Sequence, residues 1–396
     1  MVKQVRLWNR DFIGMCLCNF FLFMTVNTLI TTLPLYVIDV LEQSEKEIGL
    51  TLMAFTLGAI IVRLFAGKWI DDLGKKKILI ASLLLFAITN IAYLGINSIF
   101  LLFVLRILHG AAFGIVSTAT MAIASEIPPA NRKGEGISYF TLSMSLSMVL
   151  GPLTGLMIVS TYNFTVLFAV CSVYTIAAFL FAKMAKVEEV PVPNFEKTKR
   201  KLKWESMIEK KALPIAFVCF VLVLAQSTIQ SYVPIYAESL GLGNIAGYFF
   251  VMYAVMLIAT RSFTGRIFDK FGANYVVYPS LVIYFLGWIG LSFVQGPFAF
   301  LAMGAVIGLG YGTLQPSFIT LVTASSPSER RGVATSTFYL FFDIGMGVGA
   351  VLLGIVAFYT NYQMMYLVCA GIVVVAMFFY YIVQLSAKKD VGAGAA

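Results

Sequence analysis

Charge is what this sequence has least of: 12% of its 396 residues are Asp, Glu, Lys or Arg, against about 25% in an average soluble domain. With 60% of residues hydrophobic and a mean hydropathy of +0.90, too little polar surface remains to cover a water-soluble globule. A soluble enzyme is thereby excluded. Histidine is nearly absent, and His109 alone cannot build a histidine-based metal cluster. Cys16, Cys18, Cys171, Cys219 and Cys369 all fall in apolar stretches and form no C-x-x-C pair, so they read as small buried hydrophobes rather than disulfides or metal ligands. No Walker-type G-x-x-x-x-G-K-[ST] run occurs, which argues against direct use of ATP. The basic residues Lys3, Arg6 and Arg10 precede an apolar run over 12–38 that is too long for a signal-peptide core, so this run is expected to stay as a first helix.

What is there is apolar sequence in blocks. Windows of about 19 residues place helices at 12–38, 46–66, 77–96, 98–124, 135–159, 163–184, 212–237, 244–265, 274–295, 297–322, 332–358 and 362–386, twelve spans in all. With the N-terminus inside, every Lys and Arg falls in a tail or a cytoplasmic loop except Lys46, Arg63, Arg106 and Arg261, so both termini are predicted to be cytoplasmic. The formal charge of +9 follows from facing anionic lipid headgroups and gives no argument for nucleic acid. Residues 185–211, with Pro191, Pro193 and a run of lysines, divide six spans from six and read as a cytoplasmic linker, with room for one short amphipathic helix around Trp204.

The two halves repeat. An offset of 198 carries Arg63, Gly67, Asp71 and Gly74 onto Arg261, Gly265, Asp269 and Gly272, and Pro129, Arg132 and Gly134 onto Pro327, Arg330 and Gly332. Thr28, Pro34 and Tyr36 correspond to Thr228, Pro234 and Tyr236 at an offset of 200. Parallel repeats of this kind predict an all-α membrane protein in which twelve transmembrane helices form two pseudo-symmetric six-helix bundles, 1–184 and 212–396. A central site between bundles that rock would give alternating access.

At these residues the chain resembles the major facilitator superfamily of secondary transporters, over essentially its whole length. Gly67-x-x-x-Asp71-x-x-Gly74-Lys75 looks like the superfamily's loop 2–3 signature, with Asp72 where a basic residue is usual. Arg106-x-x-His109-Gly110 resembles the arginine motif of its proton-coupled exporters, and Gly151-Pro152-x-x-Gly155 the helix-5 antiporter motif of its twelve-helix drug:proton antiporters. The resemblance implies that Asp71 docks on helix 11 and latches the cytoplasmic side. It also implies proton transfer involving Arg106. Lys75 is placed to tie Asp71 to Glu126, whereas the offset puts Ala273 and Ala324 beside Asp269, so an asymmetric gate that also includes Arg132 and Arg330 is expected. The alternative is that these charges only enforce topology.

Arg106 and Asp343 lie deep, and a central charge costs roughly 2.5–3.5 kcal/mol on insertion scales, so each is expected to face a cavity or a partner. A helix starting near Gly332 carries Asp343 about 16 Å inward, near the midplane, where a carboxylate can trade a proton. Asp343, with Arg106 and His109, is therefore the expected proton-coupling set. For Arg106 the competing reading is a structural hydrogen bond to carbonyls of helix 1, and for His109 simple packing. Ser143, Ser147, Gly151 and Gly155 form a small-residue stripe on helix 5, matched on helix 11 by Gly345, Gly347, Gly349 and Gly354. These stripes suit close helix packing and are expected to carry the seal between bundles. Asn19, Asn27, Thr28, Gln226, Gln230 and Gln315 are the sparse polar residues on helices 1, 7 and 10 that would line a substrate cavity suited to amphipathic compounds.

The expected function is proton-coupled export of small amphipathic molecules by a monomer in the plasma membrane. It would be driven by the proton gradient and would need no cofactor. A transporter specific for one metabolite, such as a siderophore, an amino-acid conjugate or a sugar, is the alternative. An intramembrane enzyme lacks converging catalytic groups here.

Overall fold

The computed structural model describes residues 7–43, 45–186 and 207–393. Among these the chain forms α1 (Arg10–Asp39), α2 (Glu45–Leu73), α3 (Lys75–Ile91), α4 (Ile99–Ala124), α5 (Lys133–Thr161), α6 (Phe164–Met184), α7 (Leu213–Ser239), α8 (Ala246–Phe271), α9 (Asn274–Ser292), α10 (Pro297–Ser325), α11 (Arg331–Tyr359) and α12 (Tyr362–Ala393). Ten described helices are long and apolar enough to cross a bilayer, and α7 and α8, bent by 43° and 41°, bring the number to twelve when each counts as one span. In α7 the bend falls where Pro234 has no N–H to offer the carbonyl four residues back. The helix expected around Trp204 lies outside the described residues.

Short polar side chains set several helix starts. Asn9 accepts from Phe12 N at 2.8 Å, Asn163 from Val166 N at 3.0 Å and Asn361 from Met364 N at 2.8 Å. Ser98 does the same for Leu101 N at 3.3 Å, which is why the nearly continuous apolar stretch 77–124 divides there. One boundary difference bears on the site, that of α2. It runs to Leu73 rather than 66, so Gly67 and Asp71 belong to a helix and only Gly74, with φ 98°, sits in the turn. Gly272, its counterpart, has φ 89°. Both positions need the left-handed freedom that glycine supplies.

Two compact units make up the chain: Met1–Glu209 with Ser326–Thr337, and Lys210–Ser325 with Phe338–Ala396. The start of α11 thus groups with the first unit, a placement that a cut of the sequence at the linker does not anticipate. In the first unit α1 packs on α5 and α6, α2 on α4, and α3 on α4 and α6. In the second, α8 and α9 pack on α10, and α12 on α7 and α9.

The repeat extends to individual contacts. Gly110 of α4 faces the backbone of Phe55 of α2, where an added Cβ would lie 2.9 Å from Phe55 Cα. Gly308 of α10 faces Tyr253 of α8 in the same way, 3.0 Å from its Cα, and both members of this pair stand 198 residues after those of the first. One turn on, Gly114 meets Ala59 and Gly312 meets Leu257. Next to these crossings Arg63 Nη2 donates to Ser117 Oγ at 3.1 Å, and Arg261 Nη2 to Gln315 Oε1 at 3.1 Å, again at the same offset. The glycines let the backbones approach closely enough for helix contact in lipid, and the arginines hold polar partners one to two turns away. Gly110→Leu and Gly308→Leu are each expected to destabilise their own crossing by about 3 kcal/mol or more, because backbone cannot yield as a side chain can. Monodisperse yield after extraction should fall for both, whereas Gly371→Leu, which has open space, should behave as the parent.

The small-residue stripes find their partners within their own units, which corrects their expected use as a seal between bundles. A Cβ on Gly151 would lie 2.8 Å from Asn27 Cβ, and one on Gly155 2.9 Å from Thr32 Cγ2, both on α1. On α11, Gly345 and Gly349 face Phe220 and Leu224 of α7, while Gly347 meets nothing within 4 Å.

Candidate functional site

The charged cluster at the α2–α3 turn is built on close approach. A Cβ on Gly67 would lie 2.6 Å from Val333 Cα and 2.7 Å from Ser336 Cβ, so only glycine lets the end of α2 lie against the start of α11. The Ser336 hydroxyl donates to the Arg63 carbonyl in the same seam. One turn further along α2, Asp71 accepts from two backbone amides, Oδ1 from Gly332 N at 2.9 Å and Oδ2 from Val333 N at 2.9 Å. These amides lie in the first turn of α11, where no intrahelical carbonyl is available to them, and the helix dipole favours a carboxylate there. Beside it Glu126 takes two cations, Lys75 Nζ at 2.5 Å and Arg331 Nη1 at 3.2 Å. All of these residues belong to the first unit.

The other expected gate residues are placed elsewhere. Arg132, in the turn before α5, pairs with Glu135 of that helix at 2.6 Å, and Arg330 pairs with Glu209. Asp269 lies within α8 in the second unit. Sequence reasoning missed Arg331, Glu209 and Ser336. Arg331 was legible as the second of the paired basic residues in the 330–331 repeat, whereas Glu209 carried no repeat signal.

Arg106 is fully buried and donates from Nε to the Thr51 carbonyl at 3.3 Å, with its guanidinium 4.3 Å from the Phe55 ring centre. The backbone partner is therefore on α2, not helix 1. Among the described residues its two terminal nitrogens have no hydrogen-bond partner. His109 is boxed by Phe55, Phe86 and Tyr93, and the Tyr93 hydroxyl lies 3.2 Å from its Nδ1. Asp343 is half-buried on α11 in the second unit.

The residues expected to line a substrate cavity are engaged within their own bundles. Asn19 donates to Ser143 Oγ at 2.9 Å, Asn27 to Ser147 Oγ at 3.2 Å and Thr28 to the Gly151 carbonyl at 3.1 Å, which stitches α1 to α5. Gln226 donates to the Tyr253 hydroxyl and accepts from the Tyr284 hydroxyl, each at 2.9 Å, and Gln315 accepts from Arg261. The physical reason is the cost of an unpaired polar group in an apolar interior, which draws each into the nearest bond. The Gln230 side chain lies outside the described residues. Pro152 is a half-buried member of α5 between the two packing glycines.

Repeated helical crossings, buried cations and an acid-bearing helix end define the class: a multi-pass membrane transport protein made of two related helix sets. Its family is settled by comparison. The family model described as Major Facilitator Superfamily matches residues 15–297 and again 244–395, and the chain belongs to that superfamily. It is 23% identical to the staphylopine export protein of Staphylococcus aureus, over 85% of this chain and 87% of that protein. It is 25% identical to the multidrug resistance protein MdtG of Escherichia coli, over 92% of each. The crystal structure of the Escherichia coli fucose:proton symporter superposes with a TM-score of 0.79 at 16% identity, over 96% of this chain and 99% of that one, a likeness of fold.

Proposed function

We propose that this transporter exports small amphipathic molecules in exchange for protons, by alternating access, as a monomer in the cell membrane with both termini cytoplasmic. The observation that carries the reading is the pair of hydrogen bonds that Asp71 accepts from the first turn of α11. It lies inside the first unit, while α11 continues into the second, so it acts as a latch that must open whenever the end of α2 and the start of α11 separate. Relatives named for multidrug resistance and for staphylopine export support the outward direction. The proton gradient supplies the energy and no cofactor is used, each charge that moves down 100 mV releasing about 2.3 kcal/mol.

In this reading Asp343 exchanges the coupled proton and Arg106 sets the electrostatics of the exchange. His109 has the Tyr93 hydroxyl as the partner through which a proton would pass. The helix-5 glycines and Pro152 keep α5 tight on α1 so that the bundle moves without leaking.

A second reading, a transporter dedicated to one metabolite, is favoured by the staphylopine-exporting relative and by the engagement of Asn19, Asn27, Thr28, Gln226 and Gln315 inside the bundles. Proteoliposomes challenged with a panel of drugs and metabolites separate the two: broad proton release supports the first, release with one compound the second. Asp343→Asn is expected to lower release by about tenfold or more, since a neutral amide cannot carry the proton. Parent-like exchange by that variant would overturn the assignment of Asp343.

A further inference from the structure

The start of α11 is held by more than Asp71, and a comparison with the start of α5 identifies the second holder. Arg132 and Glu135 form an ion pair one turn apart at the start of α5, with Nε 2.6 Å from Oε2 and the carboxylate 5% exposed. The offset of 198 puts Arg330 and Val333 at the matching positions, so the arginine is kept and its acid is replaced by valine. Arg330 instead reaches the end of the linker. Its Nε pairs with Glu209 Oε2, and its Nη2 donates to the Ile208 carbonyl at 3.3 Å. Glu209 is anchored from the other side as well, its N–H donating to Thr337 Oγ1 at 3.1 Å and its side chain 8% exposed.

The exchange of Glu135 for Val333 has two consequences at one place. The Val333 amide is bonded to Asp71, and an acid on that residue would stand beside the Asp71 carboxylate, where like charges repel. The arginine then takes its carboxylate from a different stretch of chain. Residues 330–337 are thus gripped by two carboxylates, Asp71 on the amides and Glu209 on the guanidinium, with the Glu209 N–H closing on Thr337. Glu209 is also the last residue of the first unit, and Lys210 opens the second.

We propose that Glu209 is a positioning residue of the gate: by clamping Arg330 and Thr337, the end of the linker holds the first turn of α11 in register for Asp71. The inference rests on the latch reading given above. It makes the linker a working part of the gate, so that displacement of residues 207–209 loosens the Asp71 dock. The Glu209 carboxylate is nearly buried, so losing the Arg330 cation would leave it poorly solvated, which favours the clamped arrangement.

The test uses the full chain in lipid nanodiscs, with amide hydrogen exchange of 328–337 as the readout and 130–139, which has its own Glu135, as the internal control. Glu209→Gln is expected to speed exchange of 328–337 by about tenfold, the response to losing one charge-assisted hydrogen bond, and to leave 130–139 unchanged. Arg330→Gln, at a more exposed side chain, should do the same, and the exchange of charges in Glu209→Arg with Arg330→Glu should restore slow exchange. In transport the single variants should lower turnover while the half-saturating substrate concentration stays the same. The proposal is overturned if exchange of 328–337 stays within about twofold of the parent, the range of neutral surface changes, or if both segments speed up alike. A parent that exchanges slowly at 328–337 yet moves no compound would sink the export reading and leave the clamp standing.

Discussion

Asp71→Ala is expected to cut transport by about tenfold or more while leaving the amount of inserted protein unchanged. The carboxylate makes two charge-assisted hydrogen bonds of 2.9 Å to Gly332 N and Val333 N, each worth about 1.5–3 kcal/mol. Removing it leaves two first-turn amides of α11 without their carboxylate acceptor, in a seam where a Cβ on Gly332 would lie 2.9 Å from the Gly67 carbonyl oxygen. Insertion does not depend on the bond, because the hydropathy of α2 and the basic residues that follow it set the topology. Asp71→Asn keeps one acceptor oxygen but loses the charge that the helix dipole favours, so it should fall between parent and alanine. Initial rates normalised to purified protein check the series. Equal rates for parent and Asp71→Ala would leave the charges as topology markers.

Arg106 provides the second large effect, and the repeat supplies a control for it. The offset of 198 places Phe249 opposite Thr51 and Gly304 opposite Arg106. In the second unit the buried ring of Phe249 fills the space beside Gly304, where an added Cβ would lie 2.9 Å from the ring. The same crossing in the first unit is filled from the opposite helix, by the Arg106 side chain over the Thr51 carbonyl. Packing therefore has an uncharged solution, already present in this chain. Arg106→Gly alone should leave a void that costs about 3–5 kcal/mol, in line with large-to-small changes in cores, and should accumulate poorly. Arg106→Gly combined with Thr51→Phe should regain parent-like thermal stability and still lose proton-coupled transport by about tenfold or more. If the double variant transports as the parent does, the guanidinium is only a filler.

The same crossing explains why Arg106 differs from Arg63 and Arg261. The latter two each donate to a side chain on the helix packed against their own, Ser117 on α4 and Gln315 on α10. Arg106 has a single backbone acceptor and an aromatic face, with two nitrogens unpartnered among the described residues.

By itself the sequence determined the membrane class, twelve spans, the duplication, and the identity of the deep charges. Each of these is one-dimensional: hydropathy per window, basic residues per loop, identical residues at a fixed offset. Asp71 and Gly67 were legible as a motif, and the glycine turn at Gly74 as a break. Only the tertiary structure decided the partners. The amides that Asp71 takes belong to residues 332 and 333, and a backbone N–H has no signature in sequence because every residue but proline has one. The stripe on α5 reads the same whether it faces α1 or another bundle, and contact with Asn27 and Thr28 decided it. Polar residues such as Asn19 and Gln226 show in sequence only that they are buried; which hydroxyl satisfies them depends on the helix that packs alongside. Glu209 shows the limit most clearly. Arg330 was visible as the counterpart of Arg132 in the repeat, but its carboxylate lay 121 residues away, and only folding brings those two charges together.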